Sequence, residues 1–229
     1  MAGSICSVLA RKIAGQKPKR LLLLDNNETG LFDIYEELKD KCKSEPIIGD
    51  IRDREKIESI FKTYKPDIVF HGAAMKHIVM CERWPLEAYK TNVLGTINLS
   101  DMAQKYGVKR FIFVSSDKAA NPVSVMGKTK KRGEEICLAA NGKTKFIVVR
   151  FGNVMASRGS VIPTWQKQIE DNKYLTITDP KMKRYFMSIP QAADLIIKAG
   201  KTGKGGEIFV LDMGREVLIK DLAEIMIKM

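Results

Sequence analysis

A hydroxyl, a carboxyl and an amine stand in consecutive positions at Ser116, Asp117 and Lys118, directly after an apolar run over 110–115 that reads as a buried strand. A hydroxyl can hydrogen-bond a substrate oxygen, a carboxyl can deliver a proton and an amine can remove one, so this strand end is equipped for general acid–base chemistry. The plainer alternative is a turn in which Ser116 and Asp117 cap the chain. A second candidate lies near the N-terminus. Gly3, Ser4 and Ile5 lead into a helical stretch at 8–14, and Asp25 closes the run Leu21–Leu24. Glycine turn, helix, strand and then an acid is the order of a dinucleotide-binding unit. There Gly3 lets the backbone approach a pyrophosphate, the amides at the helix start point at it, and Asp25 accepts from ribose hydroxyls. Its charge repels the extra phosphate of NADP and so favours NAD. Taken alone, a glycine in this position is more often a simple turn. No strand precedes it, and Cys6 stands where a close-packing glycine is expected.

The elements that must hold these residues alternate. Apolar runs at 20–25, 46–50, 67–71, 110–115 and 145–150 lack polar alternation, which predicts strands covered on both faces. Between them, Ile57, Ile60, Phe61 and Tyr64 form one helical stripe, and Leu86, Tyr89, Val93, Leu94 and Ile97 another. Strand–helix alternation predicts an α/β fold with a doubly wound parallel sheet and right-handed crossovers. After Arg150 the rhythm loosens. A loop of small residues at 152–160 precedes a helix at 162–171, a strand at 174–178, a helix at 190–200 with Pro190 at its first position, a strand at 207–211 and a helix at 218–227. The reading is a Rossmann-like NAD-binding domain over 1–152. A mainly substrate-binding lobe over 153–229 sends segments back to the main sheet.

Composition narrows the partners. Lys and Arg number 39 against 27 acids, a net charge of +12, which favours anionic ligands. The basic residues are dispersed and no nucleic-acid motif appears, so nucleic acid is not expected. Four scattered cysteines and two histidines predict no metal site and a reducing, cytoplasmic setting. No apolar run approaches the roughly 18 residues needed to span a bilayer, so no membrane segment is expected within the chain.

Seven segments carry a resemblance. They are H-G-A-A-M-K-H at 71–77, T-N-V-L-G-T at 91–96, V-S-S-D-K at 114–118, N-P-V-S-V-M-G-K-T-K at 121–130, R-F-G-N-V-M-A-S-R-G-S-V-I-P at 150–163, R-Y-F-M-S-I-P at 184–190 and E-I-F-V-L-D-M-G at 207–214. In this order the chain resembles the UDP-N-acetylglucosamine 4,6-dehydratases, the polysaccharide-biosynthesis branch of the extended short-chain dehydrogenases. Against that family the first strand would lie before Met1 and a further segment after Met229. A membrane-anchored parent with this part in the cytosol is among the expectations, as is a homo-oligomer.

The resemblance implies an NAD-dependent lyase that converts a UDP-N-acetylhexosamine to a 4-keto-6-deoxy sugar, with Ser116, Asp117 and Lys118 as the reacting corner; the alternatives are a nucleotide-sugar epimerase or oxidoreductase and an inactive nucleotide-binding fragment. Ordinary members of the superfamily carry Y-x-x-x-K; here the spacing is kept by Met126 and Lys130. Methionine cannot donate or accept the proton, which argues against a plain epimerase. Lys130 is left to bind the nicotinamide ribose, unless it is a solvated helix lysine. Asn26, Asp50, Ile51, Ala73, Ala74, Lys76 and Asn92 are further implied cofactor contacts, Asn92 alternatively supporting the active-site strand through hydrogen bonds or simply capping a local turn. Lys76, His77, Met126, Asn153, Arg158, Ser160, Val161 and Arg184 are implied around the sugar nucleotide. A pocket-wall or core methionine is the simplest reading of Met126, and a surface arginine the bland alternative for Arg158 and Arg184. His71 reads as a structural histidine at a strand end.

Overall fold

The structure, a computed structural model, describes residues 2–228. In chain order the strands are β1 (Leu21–Asp25), β2 (Ser44–Ile48), β3 (Ile68–His71), β4 (Arg110–Val114), β5 (Lys145–Arg150), β6 (Asn153–Val154), β7 (Lys183–Met187), β8 (Glu207–Val210) and β9 (Glu216–Leu218). The helices are α1 (Ser4–Ala14), α2 (Glu28–Leu38), α3 (Arg54–Tyr64), α4 (Ile78–Arg83), α5 (Pro85–Tyr89), α6 (Gly95–Lys105), α7 (Val125–Ala139), α8 (Val161–Glu170), α9 (Ile189–Thr202) and α10 (Ile219–Lys228).

Successive residues of a strand face opposite sides of the sheet, and β4 and β5 use both. Phe111, Phe113, Phe146 and Val148 pack with Ile57, Phe61, Leu99, Met102 and Cys137 from α3, α6 and α7. Ile112, Ile147 and Val149 point the other way, onto Leu9 of α1 and Ala192, Ala193 and Ile196 of α9. This two-sided burial is why the runs lack polar alternation. The doubly wound parallel sheet is therefore present. Among the described residues it falls into two parts, β1–β2 and β3–β4–β5–β8, with no ladder joining β1 to β3. Helix starts are set by side-chain caps: Asn27, Asp53, Ser124 and Ser188 accept from the amides of Gly30, Lys56, Gly127 and Gln191, each contributing about 1 kcal/mol.

The last third of the chain divides. β8 and α9 complete the main layers, while β6, β7 and β9 form a small sheet, β7 antiparallel to β9. Trp165 of α8 is fully buried there with Ile219 and Ala223 of α10. Residues 174–178, expected as a strand, are not one. Leu175 and Ile177 pack around Trp165. Trp165 Nε1 donates to the Thr176 carbonyl (2.9 Å) and the Thr176 amide donates to Gln168 Oε1 (3.1 Å). Side chains of α8 thus satisfy backbone groups that a neighbouring strand would otherwise pair. The expected strand at 46–50 begins and ends two residues earlier, because Asp50 accepts from the amide of Arg52 in a turn.

Candidate active site

The ladder between β4 and β5 runs one residue past β4, the Ser115 amide donating to the Val149 carbonyl (2.8 Å). The chain then turns through a short 3-10 segment, Asp117–Ala119, for which Ser116 is the cap. Capping and chemistry do not exclude each other here. Ser116 Oγ accepts from the Lys118 amide (3.3 Å) and donates to Asp117 Oδ1 (2.9 Å). Lys118 Nζ donates to the same Oδ1 (2.9 Å) and to Asn153 Oδ1 (3.2 Å). The Asp117 amide donates to the Phe151 carbonyl (3.0 Å), tying the turn to the end of β5. Hydroxyl, carboxylate, amine and amide are one connected group. The side chains of Lys118 and Asp117 are 28% and 42% exposed, within reach of a solute.

α7 approaches this corner closely because Gly133 faces Phe113; a Cβ there would lie 2.6 Å from the ring. Lys130 is consequently buried, not a solvated helix lysine. Its Nζ donates to the Val114 carbonyl (2.5 Å) and lies 4.1 Å from the centre of the Phe113 ring. Burial lowers its pKa to about 8, against the opposing charges of Cys137, Glu134 and Cys6. Met126 is buried in a small core cluster with Cys81 and Ala88. His71 is buried, its Nε2 paired with Thr96 Oγ1 (2.9 Å). Burial and the Lys130 charge lower its pKa to about 3, which fits the structural reading.

At the other end, Gly3 caps α1 without a side-chain bond, and a Cβ on Gly3 would meet nothing within 4 Å. Ser4 and Ile5 open the helix. Cys6 is seated against Gly72 just after β3, where any side chain on Gly72 would collide with the thiol; the cysteine is accommodated by this pairing. Asp25 accepts from the amides of Ala2 (2.7 Å) and Asn27 (2.9 Å). Burial pushes its carboxyl up, but these and other hydrogen bonds outweigh that and hold it low. Asp50 is bound by Arg52 and accepts from Asn26 Nδ2 (3.3 Å). Ile51 is buried beside Gly95, Ala73 is exposed and Ala74 half-buried. Asn92 lies in a π-helical turn, Lys90–Leu94, and is buried. Its amide accepts from the Met75 amide (2.8 Å) and donates to the Met75 carbonyl (3.0 Å) and Thr129 Oγ1 (3.0 Å). These bonds hold the loop after β3 to α7; none reaches the strand that ends at the Ser116 corner.

The loop after β6 joins the two ends. The Arg158 amide donates to Ser4 Oγ (3.0 Å), Lys76 Nζ donates to the Arg158 carbonyl (2.7 Å), and the His77 ring lies against Gly159. Partial burial lowers the pKa of Lys76, and burial with the Lys76 charge lowers that of His77. Ser160, the cap of α8, has a buried Oγ with no hydrogen-bond partner among the described residues. Val161 follows it, half-buried, and the Arg158 side chain is exposed. Arg184, on β7, donates to the Lys183 carbonyl (2.8 Å); it is not joined by any hydrogen bond to the corner. Sequence reasoning missed Ser115, Glu134 and Arg150: the buried Glu134 carboxylate accepts from both Ser115 Oγ and Arg150 Nε. Glu134 sits in a charged stretch that reads as a solvated helix face.

The doubly wound sheet and the open helix start beside an acid-tipped strand make a Rossmann-like α/β architecture. The chain belongs to the polysaccharide biosynthesis protein family, whose model matches residues 1–229. "Probable polysaccharide biosynthesis protein EpsC" of Bacillus subtilis (strain 168) is 46% identical over 97% of the chain, which spans 38% of that protein. A UDP-glucose 4-epimerase of Rickettsia akari is 42% identical over 78% of the chain and 54% of that protein. The solved structure of Pen from Bacillus thuringiensis superposes with a TM-score of 0.93 at 39% identity, covering 99% of this chain and 70% of that one. The same fold occurs in the dTDP-glucose 4,6-dehydratase DesIV of Streptomyces venezuelae, solved with NAD and TYD bound (TM-score 0.88, 22% identity, 99% of this chain, 78% of that one). No helix among the described residues is long and apolar enough to cross a membrane.

Proposed function

We propose that the chain carries the catalytic unit of an NAD-dependent 4,6-dehydratase acting on a UDP-N-acetylhexosamine, probed most directly with UDP-N-acetylglucosamine. The observation that carries the reading is the connected Ser116–Asp117–Lys118–Asn153 group, with Lys130 behind it and Met126 where an epimerase or alcohol dehydrogenase needs tyrosine. The residues present fit a dinucleotide. The start of α1 is open at Gly3, acids stand at or just beyond the ends of β1 and β2, and the thiol of Cys6 is packed against Gly72. Gly3, Ser4 and Ile5 would face the pyrophosphate, Asp25 and Asn26 the adenosine ribose, Asp50 and Ile51 the adenine. Bound there, NAD supplies a hydride acceptor that gives back what it takes and is not consumed.

The protein's own groups do the rest. Ser116 hydrogen-bonds the oxygen on carbon 4 of the sugar. As that carbon becomes a ketone its hydroxyl proton passes through Ser116 Oγ to Asp117 Oδ1, 2.9 Å away; the neighbouring carbon-5 proton is then acidic, and Lys118 as the free amine removes it. Asp117 as the acid protonates the carbon-6 hydroxyl, which leaves as water. Lys118 gives its proton back to carbon 5 as the hydride returns to carbon 6, so both groups end as they began. Ser160 Oγ, buried without a partner, and the Arg158 guanidinium suit phosphate oxygens of the nucleotide. Incubation with NAD and UDP-N-acetylglucosamine is expected to give a 4-keto-6-deoxy product by NMR, and Asp117→Asn and Lys118→Ala to abolish it. Full turnover in either variant removes these roles. The epimerase relative supports a second reading, in which the product is the 4-epimer; the same spectrum separates the two.

A further inference from the structure

α7 carries a second buried charge one helical turn beyond Lys130. Glu134 is 2% exposed, and both its carboxylate oxygens are engaged. Oε1 accepts from Ser115 Oγ (2.5 Å) and Arg150 Nε (2.7 Å), and Oε2 accepts from Arg150 Nη2 (2.5 Å). Ser115 immediately precedes Ser116, and Arg150 lies three residues before Asn153. The carboxylate therefore joins the last residue of β5 to the residue that leaves β4, at the point where both strands give way to the reacting loops. Residues i and i+4 of a helix share a face. On that face Lys130 holds the Val114 carbonyl while Glu134 holds Ser115 and Arg150. The close approach at Gly133 lies between them. The Arg150 carbonyl in turn accepts from the Leu211 amide (2.9 Å), so the clamp reaches the segment after β8.

We propose that Glu134 is a positioning residue: through Ser115 and Arg150 it fixes the spacing between the Ser116–Lys118 turn and Asn153, and so holds the acid–base group in one geometry. The Glu134 carboxylate is 2% exposed and fully engaged by Ser115 and Arg150, so it acts through them. A buried ion pair is a costly way to gain stability alone, since apolar residues of similar volume often serve as well. Its directional bonds are what a loop junction needs. The proposal rests on the dehydratase reading only for its kinetic arm.

The test uses the full chain with Glu134→Gln, Ser115→Ala and the double variant Glu134→Leu/Arg150→Met, which refills the volume with apolar groups. Hydrogen–deuterium exchange without ligands is expected to be at least tenfold faster at the Ser115 and Asp117 amides in Glu134→Gln and in the double variant, with β1 and α9 unchanged. With NAD and UDP-N-acetylglucosamine, kcat is expected to fall at least tenfold while KM stays within twofold; Ser115→Ala falls between. If Glu134→Gln fails to fold, the double variant decides. Wild-type exchange at Ser115 and Asp117, or wild-type kcat in a folded variant, overturns the proposal. A wild-type chain that exchanges as expected but turns over no UDP-sugar refutes the dehydratase reading, and the exchange arm still judges Glu134.

Discussion

Lys130 is the residue whose replacement discriminates most sharply between a built site and a merely packed helix. Its amine is buried against Phe113 and Val114, and burial lowers its pKa from 10.5 to about 8. That gap corresponds to about 3 kcal/mol, at about 1.4 kcal/mol per pH unit. Below pH 8 the lysine is charged in both states, and the folded protein bears the whole penalty. Between pH 8 and 10.5 the unfolded chain holds the proton and the folded chain has lost it. The unfolded state then binds more protons, so stability rises with pH across this window. Lys130→Met has no such dependence, but forfeits the bond to the Val114 carbonyl, about 1 kcal/mol. The variant should therefore be about 2 kcal/mol more stable than wild type at pH 7 and about 1 kcal/mol less stable at pH 10.5, the two curves crossing in between. Urea denaturation of both proteins from pH 7 to 10.5 reads the difference. The thiols of Cys6 and Cys137, raised by burial, are held down in part by the Lys130 charge and rise further without it, which deepens the variant's deficit at high pH rather than reversing it. A difference that stays constant with pH would refute the argument, because a lysine exposed in the folded state produces that result. Turnover should be lost in the same variant, separating stability from function.

Two further outcomes can be checked at once. Asp25→Asn removes the charge that disfavours a ribose phosphate and weakens its acceptor; by calorimetry NAD affinity should drop about tenfold and NADP binding improve, and unchanged discrimination would remove Asp25 from the cofactor site. Trp165→Phe leaves the Thr176 carbonyl without its indole donor and should cost about 1–3 kcal/mol in urea denaturation, with the loss concentrated in the α8–α10 lobe.

What the sequence determined by itself is what depends on near neighbours. The five apolar runs became parallel strands; β4 and β5 are covered on both faces, as their lack of alternation implies, whereas in β2 only Ile47 is buried and Ile48 is 57% exposed, so there the run marks a strand without two-sided burial. Ser116, Asp117 and Lys118 stand together because they are adjacent, and Asp25 ends its strand because the run before it is apolar. The tertiary structure decided every pairing between distant positions. Nothing local tells that Glu134, in a stretch dense with charge, is buried against Arg150, or that Lys118 meets Asn153. The Arg158 amide reaches Ser4 across 154 positions of sequence. Residues 174–178 alternate like a strand, yet their neighbour is the side-chain surface of α8 rather than another backbone. Periodicity reports which face of an element is buried. It carries no information about what lies opposite, and in this protein the partners opposite fix both the charge state of Lys130 and the spacing of the corner.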